Sequence, residues 1–330
     1  MRWPPIPTGS KVRSPSRSSN RVTDWLSVSI RAALYADLML LFGWPLFGLY
    51  SFARAERPAV WPLRAAMAVV AALGLALSAL GIAIITAGMA GVPLSGIDRS
   101  TLDMVITETS IGTAWQVRMG ALAVVLVCTL NARRRSAAPL LATAAAAVAL
   151  ASLAWTGHGA ASEGRAGLVH LWADIAHLLA AGAWLGAIAA FGWLLLRPAA
   201  SMTPDHLRLT HRALARFSVI GSLLVGVLIA SGLVNGYMLI GPMHVLDLPA
   251  TLYGQLFLVK LALFAAMLAL AAGNRFRLTP ALSAALAQND PARAVMALRR
   301  SIALEASAAL IILGLVAWIG TLSPPMADMG

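Results

Sequence analysis

The sequence predicts an all-α protein, a polytopic membrane bundle of about eight transmembrane helices, and three observations carry that reading. Of its 330 residues, 59% are hydrophobic and only 12% charged, about half the charge of a soluble chain of this size. Apolar runs of about 20 residues, the length that crosses a bilayer core, recur along the whole chain. The arginines alternate strongly between successive connections, as they do when a chain crosses a membrane repeatedly.

Taken in order, residues 1–24 are rich in Arg, Pro and Ser and lack the apolar core of a signal peptide, so they read as a disordered basic tail. Spans follow near 25–50, 64–90, 115–132, 137–156, 168–196, 214–240, 251–273 and 298–320. The third and fourth are separated only by "NARRRSAAP", and no stretch is left for a separate soluble domain. The connections after the odd-numbered spans hold fifteen arginines, from Arg54, Arg57 and Arg64 to Arg293, Arg299 and Arg300. Those after the even-numbered spans, with the C-terminal tail, hold two, Arg99 and Arg165. The arginine-rich side belongs in the cytoplasm, which places both termini outside. Arg2, Lys11, Arg13, Arg17 and Arg21 of the N-terminal tail dissent and are outvoted by four loops. The net charge of +12 is thus a topology signal, not a nucleic-acid footprint. The single cysteine, Cys128, lies in a span, where it reads as a small core hydrophobe and excludes any CxxC motif.

The two halves of the chain echo one another. "YADLMLLFGW" in span one matches "WADIAHLLAAGAW" in span five, aligning Asp37 with Asp174. "ITAGMAG" matches "IASGLVNG", aligning Gly88 with Gly232. "TSIGTAWQVR" matches "TLYGQLFLVK", aligning Thr109 with Thr251, Gly112 with Gly254 and Arg118 with Lys260. These matches predict a 4+4 parallel repeat, with a first membrane unit at 25–156, a second at 157–325 and a short tail at 326–330. Both units keep the aspartate. Only the second has histidines beside it, since Ala33 and Leu40 stand where His170 and His177 stand. A requirement of the fold should appear twice, whereas a ligand site need not.

His170, Asp174 and His177 are related as i, i+4 and i+7 and share one helix face. Ionisable residues inside a span turn toward protein or water and seek partners. Imidazole suits copper, zinc, iron and nickel. His170 and His177 lie nearly two turns apart, so two sites at different depths fit better than one shared ion. His158 lies just outside span four, on the same side of the membrane. "GPMH" adds Met243 and His244 there, and the tail adds Met326 and Met329; thioethers favour Cu(I). Met326 and Met329 read as a tail without a role, and His206 and His211 as solvated residues of a cytoplasmic connection. Asp37, Arg118, Lys260 and Glu305 read as structural buried charges, with the two cations snorkelling or paired to a carboxylate such as Asp37 or Glu305. Gly182 and Gly186 of "GAWLG" have the spacing of close helix packing. No phosphate-binding loop, HExxH or Ser-His-Asp arrangement occurs, so neither an ATP-driven pump nor an enzyme is indicated.

The ordered series "GHG…HLWADIAHLLAAGAWLG", "RFSVIGSLLVGVLIASGLVNGY", "LYGQLFLVKLALFAAMLALAAGNRFRLTP" and "LEASAALIILGLVAWIGTLSPP" resembles the CopD/PcoD copper-resistance membrane proteins of bacteria. The resemblance is strong over 155–325 and looser before. It implies an inner-membrane protein that moves copper from periplasm to cytoplasm, with His158, His170 and His177 as copper ligands. It also implies a separate CopC-type periplasmic copper carrier as partner. On the residues alone, a b-type haem protein and a copper-binding sensor or scaffold that moves nothing remain alternatives.

Overall fold

The computed structural model describes residues 17–54, 56–57, 64–131, 137–156, 164–197 and 202–323. Among these the chain is helical throughout, with no strand. Eight helices are long and apolar enough to cross a membrane: Trp25–Ser51, Ala65–Ala90, Ser110–Leu130, Ala138–Trp155, Gly164–Leu195, Pro204–Ile240, Leu252–Ala287 and Ala292–Ile319. These are the spans read from the sequence, with differences at their ends: the fifth begins at Gly164 rather than near 168 and the eighth at Ala292 rather than near 298, and four others differ as follows. The first helix reaches back to Arg17, into the segment expected to be a tail. The third begins at Ser110 and follows a short helix, Arg99–Glu108, capped by the Asp98 side chain. The sixth begins at Pro204, where the Thr203 hydroxyl accepts from the His206 N–H and Pro204 fills the first turn, where its missing N–H costs no hydrogen bond.

The seventh continues past Gly273 to Ala287 through a π turn, Asn274–Leu278. Pro280 has no N–H and clashes with the carbonyl four residues back in a regular helix. The wider π turn absorbs that conflict without breaking the axis.

The first and fifth spans form the centre. They pack on each other, and each also contacts both the fourth and the eighth. Around them the second packs on the first and third, the fourth on the third, the sixth on the fifth, and the seventh on the eighth. Glycine makes the central crossing possible. A Cβ on Gly43 would lie 1.9 Å from the Gly182 carbonyl oxygen, and one on Gly186 would lie 2.1 Å from the Gly43 carbonyl carbon. The spacing of Gly182 and Gly186 therefore has a structural cause: two backbones meet there. Toward one end the interface continues as an aromatic stack, with Phe47 5.0 Å from Phe191 and Phe191 5.5 Å from Phe217, both edge-on.

That end is also where basic side chains satisfy helix C-termini. Arg57 donates to the carbonyls of Leu49 and Phe52, Arg216 to that of Ser51, and Arg299 to those of Leu195 and Arg197. The His206 Nε2–H donates to Leu194 O at 2.8 Å. Last-turn carbonyls have no partner within their own helix, and cations there also complement the helix dipole. His206 is thus a part-buried cap rather than a solvated residue. Arg212 pairs with Glu56 at 2.8 Å. At the opposite end, Arg31 donates to Gly320 O and Trp25 stacks 5.2 Å from Trp318.

Thr109 and Thr251 build the same cap in the two halves. Each side chain accepts an N–H three residues on, from Gly112 at 3.0 Å and from Gly254 at 3.1 Å. Each of those glycines lies against the backbone of the preceding segment, where a Cβ would be 2.2 Å from Val105 O or 2.0 Å from Leu248 O. Gln116 and Gln255 then tie back to the carbonyls of Ile106 and Pro249.

Candidate metal site

The fifth span carries its polar residues on the face turned toward the sixth and seventh spans. Asp174 is half-buried, and its Oδ1 accepts from Asn235 Nδ2 at 3.2 Å. One turn further along, His177 Nδ1 lies 3.0 Å from Ser231 Oγ. Ser231 and Asn235 are four residues apart on the sixth span, so the two contacts are successive rungs between the same pair of helices.

The Ser231 hydroxyl decides the state of the imidazole. It has one proton, and it lies 2.6 Å from the Val227 carbonyl, to which it donates. Toward His177 it can therefore only accept, so Nδ1 carries the ring proton. Assigned in this way from the hydrogen-bond network, the tautomer leaves the lone pair on Nε2, the form in which imidazole binds metals. Gly232 lies under the same ring; a Cβ there would be 3.6 Å from His177 Cε1. Asp174 does not fix the imidazole. It bonds Asn235, and Ser231 does the orienting.

Lys260 of the seventh span is a charged neighbour of both Asp174 and His177, and its ammonium lies 5.7 Å from the centre of the Phe257 ring. Its carboxylate neighbour is therefore Asp174, not Asp37 or Glu305. Arg118, the aligned residue of the first half, is buried and donates from Nε to Ser152 Oγ at 2.9 Å. Asp37 is buried against Gly74, and neither of its carboxyl oxygens has a hydrogen-bond partner. Glu305 accepts from Asn274. Tyr35 of the first span has Arg31, Asp174 and Arg118 as electrostatic neighbours and extends the polar seam across the central crossing.

His170 is 2% exposed, and its Nδ1 is buried without a hydrogen-bond partner. A buried ring nitrogen without a partner is a cost to the fold unless something else binds it. His244 shows the same open Nδ1, while the Met243 side chain beside it is 85% exposed. The described residues hold no group of three or more His, Cys, Asp or Glu side chains placed to hold one ion. Asp174 and His177 meet successive residues of the sixth span and share Lys260 as a charged neighbour, His170 stands about 10 Å from His177 along the helix, and Met243 and His244 lie on the connection after the sixth span. His158, Met326 and Met329 lie outside the described residues. His211 lines an open cavity of about 630 Å³ with Ser218, Arg275, Thr279 and Ser283.

Ser231, Asn235 and Tyr35 were not singled out in the sequence. Their signal was there: two polar residues four apart in an apolar span, at the i, i+4 spacing that faces one neighbour.

Two family models match the chain. The N-terminal domain of copper resistance protein D-like proteins covers residues 22–168, and copper resistance protein D covers residues 211–319. The chain is 43% identical to copper resistance protein D of Pseudomonas syringae pv. tomato, over 92% of this chain and 98% of that protein. It belongs to the copper resistance protein D family. Two further relatives fit that assignment. The inner membrane protein YebZ of Escherichia coli is 25% identical over 90% of this chain and 98% of its own length. The copper transport protein CutJ of Bacillus subtilis is 32% identical over 73% of this chain and 44% of its own length. No solved structure matches the chain. Membership and the eight apolar helices make this a multi-pass membrane protein concerned with copper.

Proposed function

We propose that this copper resistance protein D family member carries copper ions across the bacterial inner membrane, from the periplasm to the cytoplasm. His158, His244 and Met243 collect the ion at the outer mouth. His170 receives it through its open ring nitrogen, and His177 binds it deeper through Nε2, with the Asp174 carboxylate beside it. The observation that carries the reading is the Ser231–His177 hydrogen bond, which orients a half-buried imidazole within the span through Nδ1 and leaves Nε2 as its metal-binding nitrogen.

On this reading the two four-span units, 25–156 and 157–325, divide the labour: the first is scaffold and the second carries the ion. The arginine-rich end faces the cytoplasm and both termini lie outside. Supply comes from a separate CopC-type periplasmic carrier. The chain itself makes and breaks no covalent bond of a substrate.

The test compares copper accumulation in cells expressing the wild type and the His170→Ala/His177→Ala double variant, followed by flux into proteoliposomes. Loss of accumulation with unchanged protein level supports the reading, and equal accumulation refutes it. Copper bound in detergent without flux in proteoliposomes would make the protein a sensor or scaffold. A Soret band in the purified protein would make it a haem protein.

A further inference from the structure

Beyond His177 the fifth span carries one more polar residue on the same face. Trp184 follows His177 by seven residues, two turns, which places it about 10 Å closer to the arginine-rich end. Its indole lies beside the Glu305 carboxylate of the eighth span, and its N–H makes no hydrogen bond of normal geometry. Glu305 is 3% exposed. The donor it has is Asn274 Nδ2, from the first residue of the π turn in the seventh span. The other end of that amide, Asn274 Oδ1, is buried with no donor to meet it. No Lys, Arg or His forms an ion pair with Glu305 among the described residues.

A buried carboxylate with only neutral neighbours is unfavourable for a membrane bundle, and a second oxygen acceptor left open beside it adds to the imbalance. The fold does not require either group. The fourth span, placed against the first as the eighth is against the fifth, contains no carboxylate at all. When the Asn274 amide turns over, Oδ1 takes the place of Nδ2 and joins the carboxylate as a second oxygen donor, with no cationic side chain beside them to compete for the site. The π turn that places Asn274 there is a distortion of the kind that recurs where helices serve ligands.

We infer that Glu305 and Asn274 Oδ1 form an inner cation station, which holds the copper ion after it leaves His177. The inference rests on the transport reading above. Oxygen donors suit copper less well than imidazole does, so the inner station is the weaker of the two. A weak inner station favours release, because an ion held tightly at the exit leaves slowly.

The experiment uses the purified full-length chain in three forms: wild type, Glu305→Gln and Asn274→Leu. Copper titration should show a tight site and a second, weaker one in the wild type. Both variants should keep the tight site within about twofold and lose the weaker one, and their flux into proteoliposomes should fall at least tenfold. Glu305→Asp should restore part of the flux. The Glu305→Gln amide can donate to Asn274 Oδ1, so its melting temperature should equal or exceed that of the wild type, which separates lost transport from lost folding. Wild-type flux in Glu305→Gln overturns the inner station and leaves the transport reading intact. Copper flux that persists in Glu305→Gln but no longer responds to a pH gradient also overturns it, and assigns Glu305 to a proton instead. Absence of flux in the wild type overturns the transport reading and this inference with it.

Discussion

An aspartate and a cation stand at positions aligned in sequence in each half of the chain, and their surroundings differ. In the first half Asp37 and Arg118 are 5% and 4% exposed. The second and third spans close over them, with Arg118 tied to Ser152 and the Asp37 carboxyl pressed against Gly74. In the second half Asp174, His177 and Lys260 are only half-buried. The sixth and seventh spans pack on each other at the π turn and Thr279–Ala287, at the arginine-rich end, but make little contact over Leu252–Gly273, where the Phe257 ring lies 4.0 Å from the Cβ position of Gly236. One pair of helices forms a sealed wall and its counterpart an open seam. Asp174 and His177 lie beside the seam, whereas His170 and Glu305 are buried.

The strongest way to break the comparison is to separate the halves. Gly186→Leu places a side chain where the Gly43 backbone already lies, so it should destabilise the bundle by about 3 kcal/mol or more. The readout is loss of monodisperse protein in size-exclusion chromatography and a lower melting temperature. Survival of a wild-type profile would mean that the first and fifth spans do not cross as described.

Next come paired neutralisations. Asp174→Asn should weaken copper binding about tenfold or more, by removing the charge beside the ligand. Asp37→Asn should leave copper affinity within twofold and melting unchanged or slightly raised, since it removes a buried charge that has no partner. Equal effects from the two would erase the distinction between sealed and open halves.

Ser231→Ala removes the group that holds His177 in one tautomer. About tenfold weaker copper binding is expected, with little change in stability, and a titration of the purified variant decides it. Unchanged affinity would mean that the ring finds its orientation elsewhere.

The smallest effect belongs to the Glu56–Arg212 pair, outside the spans. The Ala53 N–H and the Arg212 guanidinium hold the Glu56 carboxyl below its usual range. A lowered value stabilises the fold above the unfolded value, about 4.3, and that contribution is lost as the pH falls through the folded value. Glu56→Gln should therefore cost no more than about 0.5 kcal/mol at neutral pH, because the pair is part-exposed and screened. The difference from wild type should vanish in thermal melts near pH 3.

Much of the fold was legible because bilayer crossing is a local property. An apolar run of sufficient length inserts whatever its neighbours are, so all eight spans could be read with only their ends in error. Those errors have local causes: the Thr203 cap and the π turn before Pro280 extend helices beyond the apolar run. The pairing of Gly182 and Gly186 was legible as well, since only close backbones need that spacing. His170, Asp174 and His177 stood out because charge and imidazole are rare in a span. Their partners did not. Ser231 and Asn235 are ordinary in a membrane helix, and nothing in the linear order says that the sixth span faces the fifth at that rotation.

The sequence by itself determined the helical class, the number of crossings, the family resemblance and which span carries the imidazoles, because each depends on residue type within a single segment. Only the tertiary structure decided that Ser231 orients His177, that Asp174 meets Asn235 rather than an imidazole, that His206 caps a helix, and that Asn274 donates to the buried Glu305. Each of these depends on the rotation of one helix against another, which is set by steric fit at glycines and aromatics distributed over the whole bundle.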